Sequence, residues 1–320
     1  MILQKLVYSG RRYLATETLR NPNFVKIVEV GPRDGLQNEK AALSTNLKLQ
    51  LINKLINSGL SVVEAAAFVS PKWVPQMSDA SDVCSALPSS TGVSFPVLCP
   101  NMQGLKAAMK VGVKEIAVFG AASESFSKKN INCTIEESLQ RFEPVIKTAL
   151  ENNIKVRGYV STVVGCPYEG NIDPKKVAFV SDTLYNMGCY EISLGDTIGV
   201  GTPVKFSNMI DAVSATVPLE ALAVHCHDTY GQAIGNIVVS LQKGIRVVDS
   251  SVAGLGGCPY AKGASGNVAT EDVVYLLHGM GYETGVDLEA IVKTGHWISQ
   301  ELHRNYMSKA GTAIAGALHL

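Results

Sequence analysis

The 320-residue sequence lacks a long apolar run, a long basic run and the Cys-x-x-Cys spacing of redox and zinc motifs. No stretch approaches the roughly 18 apolar residues that a membrane span needs, so we expect no membrane partner. The 28 basic and 28 acidic side chains balance, and cations that are not clustered bind a phosphate backbone poorly, so we expect no nucleic-acid partner. Seven cysteines without paired spacing are typical of free thiols in a reducing compartment.

The beginning of the chain also lacks acidic residues. Residues 1–16 contain no Asp or Glu but hold three cations, Lys5, Arg11 and Arg12, among apolar residues. An acid-free, amphipathic, arginine-bearing segment is typical of a mitochondrial transit peptide, here within an N-terminal extension that spans residues 1–24. This segment predicts a protein of the mitochondrial matrix. The alternative is an extension with no targeting role.

Short β-branched runs alternate with longer stretches of helical periodicity from residue 25 onward. We count eight such runs, at residues 25–30, 62–68, 93–98, 115–119, 156–163, 191–194, 222–227 and 247–252. Their starts recur about every 32 residues, the length of one strand-helix unit, and parallel strands need helical crossovers of that size. The pattern predicts an α/β fold, a single (β/α)8 TIM barrel over residues 25–320, with an additional C-terminal helix near 287–309.

An open, doubly wound sheet is the alternative architecture for alternating strands and helices. Its dinucleotide-binding form places Gly-x-Gly-x-x-Gly directly after the first strand. This chain instead reads Gly-Pro-Arg-Asp-Gly at residues 31–35, and no linker divides it into two halves. The closed barrel is therefore favoured.

A metal centre is predicted where the first, seventh and eighth strands end, because functional side chains of barrels gather at the carboxyl ends of the strands. The first strand ends in Asp34. The seventh ends in His225 and His227, which share one face because side chains alternate along a strand. Asn267 follows the loop after the eighth strand. These side chains suit Mg²⁺ or Mn²⁺ and also accept Zn²⁺; a structural pair of barrel histidines is the alternative.

Four further side chains are candidates for the chemistry. Arg33, beside a metal ligand, can stabilise a developing oxyanion. Glu64 and Asp196 are acids within apolar strands, where an unpaired charge is costly, so each is either catalytic or the partner of a buried cation. Cys258 lies in a glycine-rich loop, where a thiol can protonate a carbanion; the alternative is an inert loop residue.

Long stretches of the chain resemble the 3-hydroxy-3-methylglutaryl-CoA lyase family. The matching segments include VEVGPRDGLQNE at 28–39, FVSPKWVPQM at 68–77, KKNINCTIEES at 128–138, MGCYEISLGDTIGVG at 187–201, AVHCHDTYGQA at 223–233 and SVAGLGGCPYAKGASGN at 251–267. The resemblance implies a divalent-metal-dependent retro-Claisen cleavage that gives acetyl-CoA and acetoacetate. This reaction is the last step of leucine degradation and of ketone-body formation.

The resemblance also assigns roles to individual residues. It places the family's metal ligands on Asp34, His225, His227 and Asn267, its catalytic arginine on Arg33 and its catalytic cysteine on Cys258. It matches Glu64 and Asp196 to acids of the active site, and Gln37 to a residue near the substrate. It further implies a small-molecule acyl-CoA substrate, a homodimer and a location in the mitochondrial matrix.

Two features depart from the family's pattern. Residues 65–67 are Ala-Ala-Ala where relatives often carry Thr-Ser, and no cysteine follows Cys258 for a disulfide between subunits. The proton acceptor stays open among four side chains: His225, Asp34, and Glu64 or Asp196 acting through water. Two other functions are weighed, a Claisen-condensing acyl-CoA synthase of the same metallolyase superfamily and a non-catalytic metal-binding scaffold.

Overall fold

The computed structural model describes residues 21–37, 39, 43–88, 92–257 and 266–320. Eight parallel strands form its centre: β1 (Lys26–Glu29), β2 (in two pieces, Val62–Val63 and Ala66–Ala67), β3 (Val97–Leu98), β4 (Glu115–Ala121), β5 (Lys155–Ser161), β6 (Glu191–Asp196), β7 (Leu222–Cys226) and β8 (Val247–Ser250). The predicted transit peptide lies outside the described residues.

The two pieces of β2 close the sheet into a barrel. β1 pairs with β8 on one side and with Val62–Val63 on the other, whereas Ala66–Ala67 pairs with β3. Between the pieces, Glu64 N donates to Glu29 O at 2.8 Å, so residues 62–67 act as one continuous strand. The strands follow chain order from β1 to β8 and return to β1. The predicted (β/α)8 barrel is confirmed.

Helices surround the barrel. Those in the described ranges are α1 (Thr45–Asn57), α2 (Ala80–Ser85), α3 (Met102–Lys110), α4 (Glu124–Ile131), α5 (Ile135–Glu151), α6 (Pro174–Asn186), α7 (Pro203–Ser214), α8 (Ala233–Lys243), α9 (Thr270–Gly279), α10 (Leu288–Glu301) and α11 (Lys309–Ala317). One or two of them follow each strand from β1 to β7, and three follow β8. Their apolar stripes are buried against the sheet; in α1, Leu51, Ile52 and Leu55 are buried. Within these ranges, no helix is both long and apolar enough to cross a bilayer.

The C-terminal helical region differs in detail from the single helix predicted at 287–309. Asp287 caps α10 as expected, but the helix ends at Glu301. His303 adopts the left-handed conformation with φ 50°, which stops a helix. Ser308 then caps a second helix, α11. The additional helical region is confirmed, and it consists of two helices.

The interior of the barrel contains charged side chains. Arg157 on β5 is 1% exposed, and its guanidinium contacts Glu191 on β6 at 2.8 Å and Asp249 on β8 at 2.7 Å. The same guanidinium lies 4.8 Å from the ring centroid of Tyr159. Because a buried charge is tolerated only when it is paired, these contacts explain how ions occupy a core that barrels usually fill with aliphatic residues.

Candidate metal centre and active site

Asp34 reaches the carboxyl-terminal rim of the barrel on a wide helical turn, Gly31–Gly35, directly after β1. Asp34 N donates to Val30 O at 2.8 Å, which folds the turn back on the end of the strand. Glycine is favoured at position 31, because an added Cβ would lie 2.5 Å from Glu29 Oε1, which accepts hydrogen bonds from Gly31 N and Val252 N. The turn therefore fixes Arg33 and Asp34 at the rim.

The two histidines at the end of β7 meet Asp34. The imidazole rings of His225 and His227 lie with centroids 5.4 Å apart, as expected for alternate residues of one strand. His225 Nε2 is 3.9 Å from Asp34 Oδ2. One potential ligand atom of each of the three residues lies within 4.8 Å of the others. We call these three residues the ligand group.

Asn267 joins the ligand group through the carboxylate. Its Nδ2 donates to Asp34 Oδ2 at 2.9 Å and to Leu255 O at 3.1 Å. The amide therefore presents its donor to Asp34, and Oδ1 is the atom through which it would bind a cation. The four predicted metal ligands thus converge, although the chain separates the outermost two by more than 200 residues.

Two members of the ligand group, Asp34 and His227, have ionisation states that suit a divalent cation. Burial opposes the charge on the third, His225, but its contacts with Asp249 and Asp34 raise its pKa. Burial opposes the charge on Asp34, but Arg33 and the other polar neighbours together outweigh it, and the pKa of Asp34 is lowered to about 2. Burial and the neighbouring His225 lower the pKa of His227 to about 4. Near neutral pH one group is therefore a carboxylate and the other a neutral imidazole, which are the forms that bind metals. The described residues fit such an ion.

Arg33 is held between two carboxylates. Its Nη1 contacts Asp34 Oδ1 at 2.7 Å and its Nη2 contacts Glu64 Oε2 at 2.7 Å, while Nε donates to the same Glu64 oxygen at 2.9 Å. Burial disfavours the cation, but Glu64 and Asp34 outweigh it and raise the pKa of Arg33 above its ordinary value. A fixed, fully charged guanidinium thus stands directly beside the ligand group.

Glu64 is the partner of a buried cation, one of the two roles predicted for it. It is fully buried, and Tyr159 Oη donates to its Oε2 at 3.1 Å. Its second oxygen, Oε1, has no hydrogen-bond partner within the described ranges. Burial raises the pKa of Glu64 despite the contact with Arg33. That oxygen is a free acceptor in the active-site region.

Asp196 is not brought into the ligand group. It ends β6 in register with Cys226, whose side chain alternates with those of the histidines. Its Oδ2 accepts a hydrogen bond from Gly201 N at 2.8 Å, and burial raises its pKa to about 6. Among the described residues, no direct contact joins Asp196 to Asp34 or the histidines. Its catalytic role stays a prediction.

Of the two remaining predicted residues, Gln37 is described by the structure and Cys258 is not. Gln37 is half-buried two residues after the turn that carries Arg33. Cys258 lies outside the described residues. The described residues on either side of the loop that contains Cys258 contact each other, because Gly266 N donates to Gly256 O at 3.2 Å. Gly256 also packs closely against Asn267, since an added Cβ would lie 2.8 Å from Asn267 Nδ2.

The structure adds two residues that the sequence prediction missed. Asp249 Oδ2 lies 3.2 Å from His225 Nδ1, and Arg157 binds the same carboxylate. Both are charged residues within β-branched strands. This signal singled out Glu64 and Asp196, and applied consistently it would have found Asp249 and Arg157 as well.

Two buried acids hold the start of the glycine-rich loop. Glu29 Oε1 accepts a hydrogen bond from Val252 N at 2.9 Å, and both Glu271 oxygens lie 3.0 Å from Ala253 N. Tyr306 Oη donates to Glu271 at 2.8 Å. Burial raises the pKa of Glu271 to about 8 and that of Glu29 to about 7.

We expect Glu271→Gln to weaken the loss of stability that accompanies a rise in pH from about 4.5 to about 8. Because the folded state binds this proton more tightly than the unfolded state, Glu271 contributes stability that is complete below about pH 4.5 and is lost as the pH rises through about 8. Glutamine does not titrate, so the variant should gain free energy of unfolding relative to wild type between those limits. Urea unfolding across this range measures it, with exposed Glu283→Gln as control. An unchanged difference between variant and wild type would contradict the expectation.

Comparison with known proteins matches the chain and its fold to one family. Residues 24–298 match the HMGL-like family. The chain is 61% identical over 292 residues to hydroxymethylglutaryl-CoA lyase, mitochondrial, of Pongo abelii, which covers 91% of this chain and 90% of that protein.

Solved structures agree with the sequence relatives. Hydroxymethylglutaryl-CoA lyase from Pseudomonas aeruginosa is 54% identical with a TM-score of 0.91, covering 92% of this chain and 99% of that one. An HMG-CoA lyase from Acinetobacter baumannii, in complex with coenzyme A and 3-methylmalate, is 31% identical with a TM-score of 0.87, covering 92% and 97%. The resemblance predicted from the sequence is confirmed: the chain belongs to the HMGL-like family and, within it, to the hydroxymethylglutaryl-CoA lyases, which are carbon-carbon lyases.

Proposed function

We propose that the chain cleaves 3-hydroxy-3-methylglutaryl-CoA to acetyl-CoA and acetoacetate by a divalent-metal-dependent retro-Claisen reaction. The observation that carries the proposal is the convergence of Asp34, His225 and His227 beside the paired guanidinium of Arg33. A set of cation ligands next to a fixed positive charge suits a substrate that bears a carboxylate, a hydroxyl group and a thioester. The A. baumannii relative with bound coenzyme A supports an acyl-CoA substrate.

The ligand group, together with Oδ1 of Asn267, would hold Mg²⁺ or Mn²⁺. Such an ion supplies Lewis-acid polarisation of the substrate's hydroxyl and carboxylate oxygens. The mixed nitrogen and oxygen donor set, and the deprotonated forms that Asp34 and His227 adopt near neutral pH, support this assignment.

The protein's own side chains move the protons and stabilise charge. His225 or Asp34 takes the proton of the tertiary hydroxyl, with Glu64 or Asp196 acting through water as the alternatives. The bond between C2 and C3 breaks, its electron pair passes to the thioester enolate, and the hydroxyl carbon becomes the ketone of acetoacetate. Arg33 stabilises the enolate oxygen, and Cys258 protonates C2 to complete acetyl-CoA. Gln37 contacts the substrate.

We further propose that residues 25–320 work as one catalytic domain behind the 1–24 extension, in a homodimer of the mitochondrial matrix. There the reaction would serve leucine degradation and ketone-body formation. The P. abelii relative is named mitochondrial, although a relative in Rattus norvegicus of the same identity is named cytoplasmic. The acid-free start of the chain favours the mitochondrion.

One assay separates the proposed lyase from the two alternatives. Purified protein with Mg²⁺ and hydroxymethylglutaryl-CoA should form acetoacetate and acetyl-CoA in equal amounts. A condensing synthase would instead release free CoA from acetyl-CoA and a 2-oxo acid, and a binding scaffold would do neither. Absence of acetoacetate from folded, metal-loaded protein would end the proposal.

A second expectation concerns the proton donor. Cys258→Ala should lower turnover by several powers of ten under reducing conditions and leave Mn²⁺ affinity unchanged, because the thiol is assigned no ligand role. Cys99→Ala is the matched control, since Cys99 is fully buried on the barrel. Near-normal turnover of Cys258→Ala would remove the acid role from this residue.

A further inference from the structure

We propose that Asp249 is a positioning residue for the metal centre: it holds the His225 ring with hydrogen on Nδ1 and with the lone pair of Nε2 facing Asp34. The inference rests on the proposed metal-dependent function and deepens it. It begins from strand register, because Asp249 on β8 lies directly opposite His225 on β7. Pairing of the strands thus sets the two side chains side by side inside the barrel.

Both oxygens of Asp249 are committed. Oδ2 lies 3.2 Å from His225 Nδ1 and accepts hydrogen bonds from Ser193 Oγ at 2.7 Å and Arg157 Nη1 at 3.1 Å. Oδ1 accepts from Arg157 Nη2 at 2.7 Å. A carboxylate accepts hydrogen bonds and donates none, so His225 Nδ1 carries a hydrogen, and in the neutral ring Nε2 is the electron-pair donor. Once Nε2 binds a metal, His225 has no lone pair left for the substrate's proton, so that role passes to the other candidate acceptors.

Asp249 is held in place from the far side of the barrel. Arg157 donates to both oxygens of Asp249 in the planar bidentate geometry, which fixes the orientation of the carboxylate as well as its distance. Arg157 Nε in turn contacts Glu191 at 2.8 Å, and Glu191 contacts Lys26 Nζ at 2.7 Å. Two cations and two anions thus form a balanced row in which no buried charge is left unpaired.

The free nitrogen lies where a cation would be shared. His225 Nε2 and Asp34 Oδ2 are 3.9 Å apart. Ligand distances of about 2.1 Å on each side allow at most about 4.2 Å between two atoms that bind one ion. The carboxylate of Asp249 therefore orients the His225 ring so that Nε2 faces Asp34 Oδ2, the atom with which it would share the metal.

The test compares Asp249→Asn with Glu191→Gln. In Asp249→Asn the side-chain amide keeps one acceptor oxygen. When that oxygen keeps the 2.7 Å contact with Arg157 Nη2, the NH₂ group faces His225 Nδ1. A donor at this position favours the tautomer that carries hydrogen on Nε2. Glu191→Gln removes a charge from the same buried row, also in contact with Arg157, but does not touch His225. The control therefore reports the general cost of disturbing the core.

Three measurements are made on each protein. The ring ¹⁵N shifts of His225 in histidine-labelled, metal-free protein identify the tautomer at a pH at which the ring is neutral; the signal is assigned by its loss in His225→Gln. Mn²⁺ titration by electron paramagnetic resonance gives affinity, and acetoacetate formation gives turnover. We expect hydrogen on Nδ1 in wild type and Glu191→Gln, a changed tautomer in Asp249→Asn, and about 10- to 100-fold weaker Mn²⁺ binding in Asp249→Asn alone.

Each contrary outcome overturns the inference. Hydrogen on Nε2 in wild-type protein does so without any variant, which keeps the test valid if Asp249→Asn fails to fold. Mn²⁺ affinity within about twofold of wild type in Asp249→Asn, or an equal loss in Glu191→Gln, also does so. A wild-type protein that shows the Nδ1 tautomer and binds Mn²⁺ but forms no acetoacetate would refute the proposed function instead.

Discussion

Arg33→Met should lower turnover by at least about 100- to 1,000-fold, the cost of losing one aligned donor to a developing oxyanion. The loss should appear in kcat as well as in kcat/KM, because the charge on the enolate exists only after the carbon-carbon bond begins to break. Mn²⁺ affinity should change far less, since Arg33 contacts the ligand Asp34 but offers no lone pair of its own.

The control must account for the buried acid that Arg33 leaves behind. Glu64 loses its cation in the variant and takes up a proton, because burial already raises its pKa. Arg33→Met combined with Glu64→Gln removes this complication. Arg304→Met is the matched control at the rim, where Arg304 contacts Glu39 at 2.7 Å. Turnover of Arg33→Met within tenfold of wild type would exclude an oxyanion-stabilising role.

The barrel was predictable because its signals are local. Each β-branched run and each helical stripe can be read within one strand-helix unit, and the direction of side chains along a strand follows from alternation alone. The amino-acid sequence is therefore sufficient to place His225 and His227 on one face. Closure of the barrel predicts that Asp34 and Asn267 lie near these histidines, because the first and last strands of a barrel are neighbours.

Other features could not be predicted, because they depend on contacts between distant segments. Asp196 and Glu64 carry the same signal in sequence, yet register with Cys226 directs the first away from the histidines, while the second meets Arg33. The split of the C-terminal helix depends on one left-handed residue, His303, which lacks the usual glycine signal. The role of Asp249 becomes visible only when β8 pairs with β7.

Removal of a metal ligand should have the largest effect on the metal centre. His227→Ala should weaken Mn²⁺ binding by more than about 100-fold, beyond the 10- to 100-fold typical of partners that only orient a ligand. A chelator should abolish acetoacetate formation by the wild-type protein, and added Mg²⁺ or Mn²⁺ should restore it. Turnover of the variant should recover in part at high Mn²⁺ concentration, since the remaining ligands and Arg33 are intact.

His278→Ala is the matched control. His278 lies on α9, its Nε2 is 3.0 Å from Thr284 Oγ1, and among the described residues it belongs to no group of potential metal ligands. Equal Mn²⁺ affinity in His227→Ala and His278→Ala would mean that the imidazole pair is structural. Weak Mn²⁺ binding with unchanged turnover at low metal concentration would mean that the ion is bound but not used. Only a parallel loss of affinity and turnover, reversed by added metal, connects the ligand group to the cleavage reaction, because the ion then limits both.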